Sequence, residues 1–235
     1  MAKFLTIYLI RHARQSSALC NVNVPLAKEG RQQAELLGQR LKHMEIEKVY
    51  SSDLIRAVET ADIVRGYTDL SGDIGNEFYQ YAGLQETNFG DLTGLEDELL
   101  RVKFKDFYEL REKSVEDVRI PGGENGEEVY TRMKESMAEV MEDAKKNDFR
   151  KIAVISHGGA IRCYLAGILQ MPQGMRYYIS KNMENTAITE LRYFYDKDRI
   201  SVERLNDYAH LEGHEKLLRK YFISARDYLD SSDKK

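Results

Sequence analysis

Two histidines stand where strand-like runs end, and this placement is the strongest chemical signal in the chain. Phe4 to Ile10 is apolar and β-branched, and it stops at Arg11-His12-Ala13. Strands of that composition bury themselves, so Arg11 and His12 fall at the C-terminal end, where parallel sheets present ligand sites. Arginine offers a planar fork that matches a phosphate face. Histidine offers a nitrogen that is neutral and nucleophilic near physiological pH. A second run, Lys151 to Ile155, leads into Ser156-His157-Gly158-Gly159 and then the helical-looking Ala160 to Leu169. Glycines admit close backbone approach, and a helix N-terminus favours an anion. A third run, Lys48 to Ser51, enters Ser52-Asp53-Leu54-Ile55-Arg56-Ala57, which puts Arg56 early on the next helix at the same edge. Arg-His alone is so short that it reads more readily as two solvated residues at an ordinary strand end. Three such strand ends together suggest one shared pocket.

The elements that must position these residues alternate. The predicted strands are Phe4–Ile10, Glu47–Ser51, Glu77–Ala82, Lys151–Ile155, Ala187–Phe194 and Ile200–Leu205. The predicted helices are Glu29–His43, Leu54–Gly66, Asp97–Arg111, Glu127–Asn147, Ala160–Leu169 and Glu215–Leu229. This order favours a three-layer α/β/α sandwich around a mixed, mostly parallel sheet. The 235 residues suit a single domain spanning 1–235. A charged stretch at about 96–120 interrupts the core pattern and reads either as a helical cap or as a solvated surface helix. Leu99, Leu100, Phe104, Phe107, Tyr108 and Leu110 give it one apolar side. Gly122 to Gly126 reads as a turn rather than a phosphate cradle, because Glu127 and Glu128 would repel phosphate. The apolar side of 215–229 serves for packing on the parent domain, with a homodimer surface as the alternative.

Composition narrows the function classes. A formal charge of −4 and no basic stripe argue against nucleic acid as a partner. No apolar run is long enough to suggest a membrane partner. The two cysteines, Cys20 and Cys163, lack zinc-like spacing, and no leader-like segment is seen at the start, so a reducing cytoplasm is the expected location. His210 and His214 are four apart, but Gly213 lies between them, and we expect no metal site.

The ordered motifs resemble the histidine phosphatase superfamily, with its phosphoglycerate-mutase-like fold. Arg11-His12-Ala13 is similar to an Arg-His-Gly signature, and Pro25 to Ala34 to its following helix start. Ser52 to Ala57 with Thr60, Leu84 to Gly90 with Gly94, Pro121 to Glu124, and Ser156 to Gly159 follow in the family's order. Asn185-Thr186, Leu205-Asn206-Asp207 and His210-Leu211 resemble the phosphatase branch. Two departures stand out: Ala13 replaces a glycine, and Arg14 is an extra residue. The phosphate-loop asparagine is then either Asn21 or Asn23, with Asn21 preferred.

The resemblance implies a hydrolase acting on a small phosphorylated metabolite, without a cofactor. His12 would be the nucleophile and Glu86 the general acid. Arg11, Arg56, a protonated His157, the Gly158 N–H and Asn21 would bind the phosphoryl group. The 96–120 insertion would cover the mouth of the site, and His210 would line its rim. Arg162 reads as structural. A phosphoglycerate-type mutase is the alternative, disfavoured by Gly159 where such mutases carry asparagine. A catalytically weak phospho-ligand binder is the third reading.

Overall fold

The computed structural model describes residues 4–68, 80–113, 115–180 and 182–219. Five strands form one sheet: β1 (Phe4–Arg11), β2 (Lys48–Ser51), β3 (Lys151–Ser156), β4 (Ile188–Phe194) and β5 (Arg199–Asp207), in the order β2-β3-β1-β4-β5. β2, β3 and β1 are parallel to one another; β4 is antiparallel to β1 and β5 antiparallel to β4. Only β4 therefore opposes the common direction. The sheet is mixed, as the sequence predicts.

Side-chain alternation sorts the core into two faces, because successive strand residues point opposite ways. Leu5, Ile7 and Leu9 of β1, with Ile152 and Val154 of β3, pack under helices α5 (Gly126–Lys146) and α6 (Gly158–Ile168). Tyr8 and Ile10, with Ala153 and Ile155, pack under α1 (Lys28–Leu41) and α2 (Ile55–Arg65). Helices on both faces of one sheet make the three-layer α/β/α sandwich.

Three expectations need correction. The predicted strand Glu77–Ala82 is not formed over its described part. Gln80 makes one parallel bridge to Ser51, and Ala82–Leu84 is a 3₁₀ turn. Gly83 lets that turn lie on α5, since a Cβ there would stand 2.1 Å from Ser136 Oγ. The predicted helix Asp97–Arg111 is two helices, α3 (Asp97–Lys103) and α4 (Lys105–Lys113). The chain leaves helical geometry at Phe104, which packs with Leu92, Leu100, Phe107 and Ile120 in a separate apolar cluster. Leu99 and Leu110, expected on the apolar side, are exposed. Of the predicted helix Glu215–Leu229, residues 215–217 form a 3₁₀ turn and 220–235 lie outside the described residues.

α5 starts at a capping box. Asn125 Oδ1 accepts from Glu128 N–H, and the Glu128 carboxylate accepts from Asn125 N–H. The two glutamates after the glycines thus begin a helix, in which an N-terminal carboxylate is favourable. Asn125→Ala removes one cap and should lower stability by about 1 kcal/mol, read by denaturant unfolding. An unchanged midpoint would show that Asp117, which accepts from the Gly126 and Glu127 N–H groups, caps the helix unaided.

Candidate active site

Strand register assembles the site. Arg11 is level with Ser156, and Ser51 with Ile155. The residues that follow, His12, His157 and Ser52, therefore emerge at one edge. The ladder continues past the strand ends, with His12 N–H donating to Ser156 O at 2.8 Å and Ser52 N–H to Ile155 O at 2.9 Å. The His12 and His157 ring centroids are 4.9 Å apart, and both side chains are buried.

The His12 ring is held from both ends. Its Nδ1 lies 2.6 Å from Ala13 O, which can only accept, so Nδ1 carries the hydrogen. Arg56 Nε donates to Nε2 at 3.3 Å, which marks Nε2 as the nitrogen with the lone pair. The backbone beneath is fixed too. Asn185 Nδ2 donates to His12 O at 2.9 Å, and Ala13 N–H donates to Thr60 Oγ1 at 3.0 Å. Ala13 has no positive φ, and its methyl is buried against Leu26, Ala34 and Ile63. Replacing the signature glycine therefore introduces no left-handed strain.

The first loop closes through a bridge between Gln15 and Leu26. The extra residue, Arg14, docks on α1: its N–H reaches Gln33 Oε1 at 2.8 Å, and its carbonyl lies where a Cβ on Gly30 would be, 2.1 Å away. Asn21, at φ 47, accepts from Arg56 Nη2 at 3.0 Å and donates to Thr87 O at 3.1 Å. Asn23 instead accepts from Ile55 N–H at the start of α2. Of the two candidates, Asn21 is thus the one that touches an arginine of the site. Arg56 is 1% exposed and also donates to Val22 O. Arg11 Nη1 donates to Met183 O, and its Nε is buried without a hydrogen-bond partner among the described residues.

Glu86 rests on the start of α6. Its Oε2 accepts from Gly159 N–H at 3.1 Å, and its Oε1 from Ala160 and Thr87 N–H. A Cβ on Gly159 would stand 2.4 Å from Glu86 Oε1, so this position has no room for a larger residue while Glu86 occupies it. Arg132 holds the Glu86 loop from below. Its Nη1 donates to Gly83 O and Gln85 O at 2.8 Å, its Nη2 to Glu86 O at 3.0 Å, and Glu124 pairs with it. Sequence reasoning missed Arg132, because an arginine on an amphipathic helix carries no signal that separates a clamp from a solvated side chain.

Electrostatics changes the reading of His157. Burial, then the charges of His12, Arg56 and Arg11, pushes its imidazole well below 6.5. In the ligand-free protein it is neutral rather than a third cation. Its Nε2 lies 2.9 Å from Ser52 Oγ, and that oxygen already accepts from Leu54 N–H. If the Ser52 hydroxyl donates to Nε2, every group there is satisfied and Nδ1 carries a hydrogen. That Nδ1 is buried and has no hydrogen-bond partner among the described residues, so it can donate to an oxyanion. Burial, then Arg56 and Arg11, likewise pushes His12 well below 6.5. Burial, then Arg219 and Arg162, pulls Arg11 down to about 9, still charged at neutral pH.

Other expected residues lie elsewhere. His210 contacts neither His12 nor Glu86 in the hydrogen bonds of the described residues; its Nε2 is 2.9 Å from Thr186 Oγ1 and its Nδ1 beside Arg40. Burial and the Arg40 charge push it down to about 4. Among the described residues, no group of three or more His, Cys, Asp and Glu is placed to hold a metal ion. No described helix is long and apolar enough to cross a membrane.

Both depressed histidines bear on stability. Between the folded value and 6.5 the unfolded chain binds protons that the folded chain does not, so stability rises with pH across that window and falls on acidification. Imidazole nitrogen spectra of the ligand-free protein should show both rings neutral at about pH 6. A protonated ring there would contradict the electrostatic account.

Residues 7–208 match the family model of the histidine phosphatase superfamily (branch 1). The chain is 30% identical to phosphoglycerate mutase-like protein 4 of Arabidopsis thaliana, over 89% of this chain and 88% of that protein. It is 27% identical to a probable phosphoglycerate mutase of Salmonella choleraesuis, over 89% and 96%. Among solved structures it resembles a phosphoglycerate mutase from Bacillus anthracis, with TM-score 0.75 at 24% identity over 90% of this chain and 96% of that one. It also resembles a mycobacterial glucosyl-3-phosphoglycerate phosphatase, with TM-score 0.73 at 23% identity over 86% and 99%. At those identities the two structures speak for the fold, whereas the family model spans most of the chain and includes both histidine motifs: this protein belongs to the histidine phosphatase superfamily, branch 1.

Proposed function

We propose that the protein hydrolyses a small phosphomonoester through a phosphohistidine on His12. The observation that carries this reading is the tautomer: Nδ1 bound to Ala13 O, with Nε2 presented to Arg56. In the first step, Nε2 attacks phosphorus and the ester P–O bond breaks. Protonated Glu86 gives its proton to the leaving alkoxide. In the second, water attacks phosphorus, the N–P bond breaks, and the Glu86 carboxylate takes the water's proton. Arg11, Arg56, the His157 Nδ1–H and the Gly158 N–H would surround the phosphoryl oxygens where charge accumulates. Asn21 orients Arg56. The arginines supply the positive charge, so the mechanism needs no metal or other cofactor.

Hydrolysis is favoured over isomerisation at Gly159. A mutase must retain its dephosphorylated intermediate through directed polar contacts. Gly159 contributes no side chain, and Glu86 fills the space where one would begin. The names of the curated relatives favour the mutase reading, so the test must separate the two.

The assay supplies 3-phosphoglycerate with bisphosphoglycerate, then a panel of alkyl phosphates, in the presence of a chelator. Free phosphate should appear, with little 2-phosphoglycerate. Efficient isomerisation without phosphate release would establish the mutase reading, and loss of activity to the chelator would refute metal independence. Glu86→Gln should slow alkyl phosphates roughly 10²–10⁴-fold, and nitrophenyl phosphate far less, because that leaving group needs little protonation. Equal losses on both would make Glu86 structural.

A further inference from the structure

Asn185-Thr186 and His210-Leu211 take no part in the proposed chemistry, yet hydrogen bonds join them to the main chain that carries the nucleophile. Thr186 N–H donates to Arg11 O at 3.0 Å, and Asn185 Nδ2 donates to His12 O at 2.9 Å. Two adjacent residues thus hold two consecutive carbonyls at the end of β1. Thr186 does so from the left-handed region, at φ 58. A β-branched residue is an outlier there and persists only where its surroundings hold it. Its side chain is buried, with Oγ1 placed between Asn185 O at 2.6 Å and His210 Nε2 at 2.9 Å.

The proton order along this chain of contacts is set from its far end. Arg40 of α1 is aimed by a two-point ion pair with Asp207 at the end of β5, one contact of which is 3.0 Å. Its Nη1 lies 3.4 Å from His210 Nδ1. A guanidinium can only donate, so Nδ1 is an acceptor. The neutral ring then carries its hydrogen on Nε2, which donates to Thr186 Oγ1. The single hydrogen of the hydroxyl is left for Asn185 O, which can only accept. Each hydrogen has one place to go. The downward shift of the His210 ring, from burial and then the Arg40 charge, agrees with its neutrality. The turn that bears His210 is fixed as well, because Asp207 Oδ1 accepts from Ala209 N–H at 3.1 Å. Arg40 and Asp207 therefore hold His210, His210 holds Thr186, and residues 185 and 186 hold the main chain of Arg11 and His12.

We infer that His210 is a positioning residue for the nucleophile, acting through the Thr186 hydroxyl on the main chain that carries the His12 ring. It touches no reacting atom. The inference rests on His12 being the nucleophile of the proposed hydrolase and adds a residue to that site. Its effect belongs in the rate of phosphoryl transfer, where a small misplacement of a reacting atom is costly. It does not belong in phosphate affinity, which the arginines supply.

The test measures phosphoenzyme formation from nitrophenyl phosphate by rapid quench, and phosphate affinity by calorimetry. His210→Phe keeps a ring but removes the donor and the acceptor. It should slow phosphorylation about 10-fold and change phosphate affinity less than about twofold. His210→Gln, which offers a donor and an acceptor, should retain most of the rate. Thr186→Gly removes the hydroxyl and relieves the left-handed backbone, so it tests the same link should His210→Phe not fold. It should slow phosphorylation to a similar degree, and the double variant should be no slower, because both changes cut one link. A full rate in His210→Phe or in Thr186→Gly would overturn the inference. So would a parallel loss of phosphate affinity, additive losses in the double variant, or no rescue by glutamine. If the parent forms no phosphoenzyme, the hydrolase reading fails, and the His12 imidazole nitrogen resonances decide the positioning separately. Resonances displaced in His210→Phe and restored in His210→Gln uphold it, and resonances identical in all three proteins overturn it.

Discussion

Two guanidiniums, the half-buried Arg11 and the buried Arg56, flank a buried imidazole, and among the described residues neither is ion-paired to a carboxylate. Desolvating such a cation costs several kcal/mol, and hydrogen bonds to Met183 O, Val22 O, Asn21 Oδ1 and His12 Nε2 offset part of it. Much of the site follows from that constraint. The cations and burial keep His12 and His157 neutral. A neutral His12 keeps its Nε2 lone pair, which in the ligand-free protein accepts from Arg56 Nε, and neither neighbouring guanidinium has a carboxylate partner among the described residues. The stability given up here is supplied by the two-faced core of the sheet.

Holding such groups without an ion pair requires rigid surroundings. The parallel ladder fixes the backbone on which His12, Ser52 and His157 follow. Asn185 and Thr60 lock the peptide groups around His12 and Ala13. On the opposite side, Arg132 and Glu124 form a paired clamp under the Glu86 loop. The backbone of the Glu86 loop is therefore held from α5, apart from the strand that leads into His12. The first loop joins these two parts: Asn21 touches both Arg56 and Thr87 O, and Cys20 pairs its backbone with Gly94 and Leu95.

What could be read in the sequence was what local chemistry determines. The near-continuous apolar run from Phe4 to Ile10 marks a strand that buries itself, and the polar residues after it mark the sheet edge. Arg56 is legible because a strand, a short turn and a helix leave it few places to go. Three features were not legible. The break at Phe104 answers to an apolar cluster assembled from distant residues, including Leu92 and Ile120. Arg132 acts on carbonyls more than forty positions away. Neutrality of His157 was also hidden, because a sequence shows the residue and not its burial.

The most direct measurement of the central claim is a rapid-quench experiment on a slowly hydrolysed phosphomonoester, with a mild alkaline denaturing quench and peptide mapping. The account predicts an acid-labile phosphoryl group on His12 Nε2, formed before phosphate is released and absent from His12→Ala. Phosphate release with no phosphoenzyme, or a phosphoryl group on another residue with full turnover in His12→Ala, would contradict it.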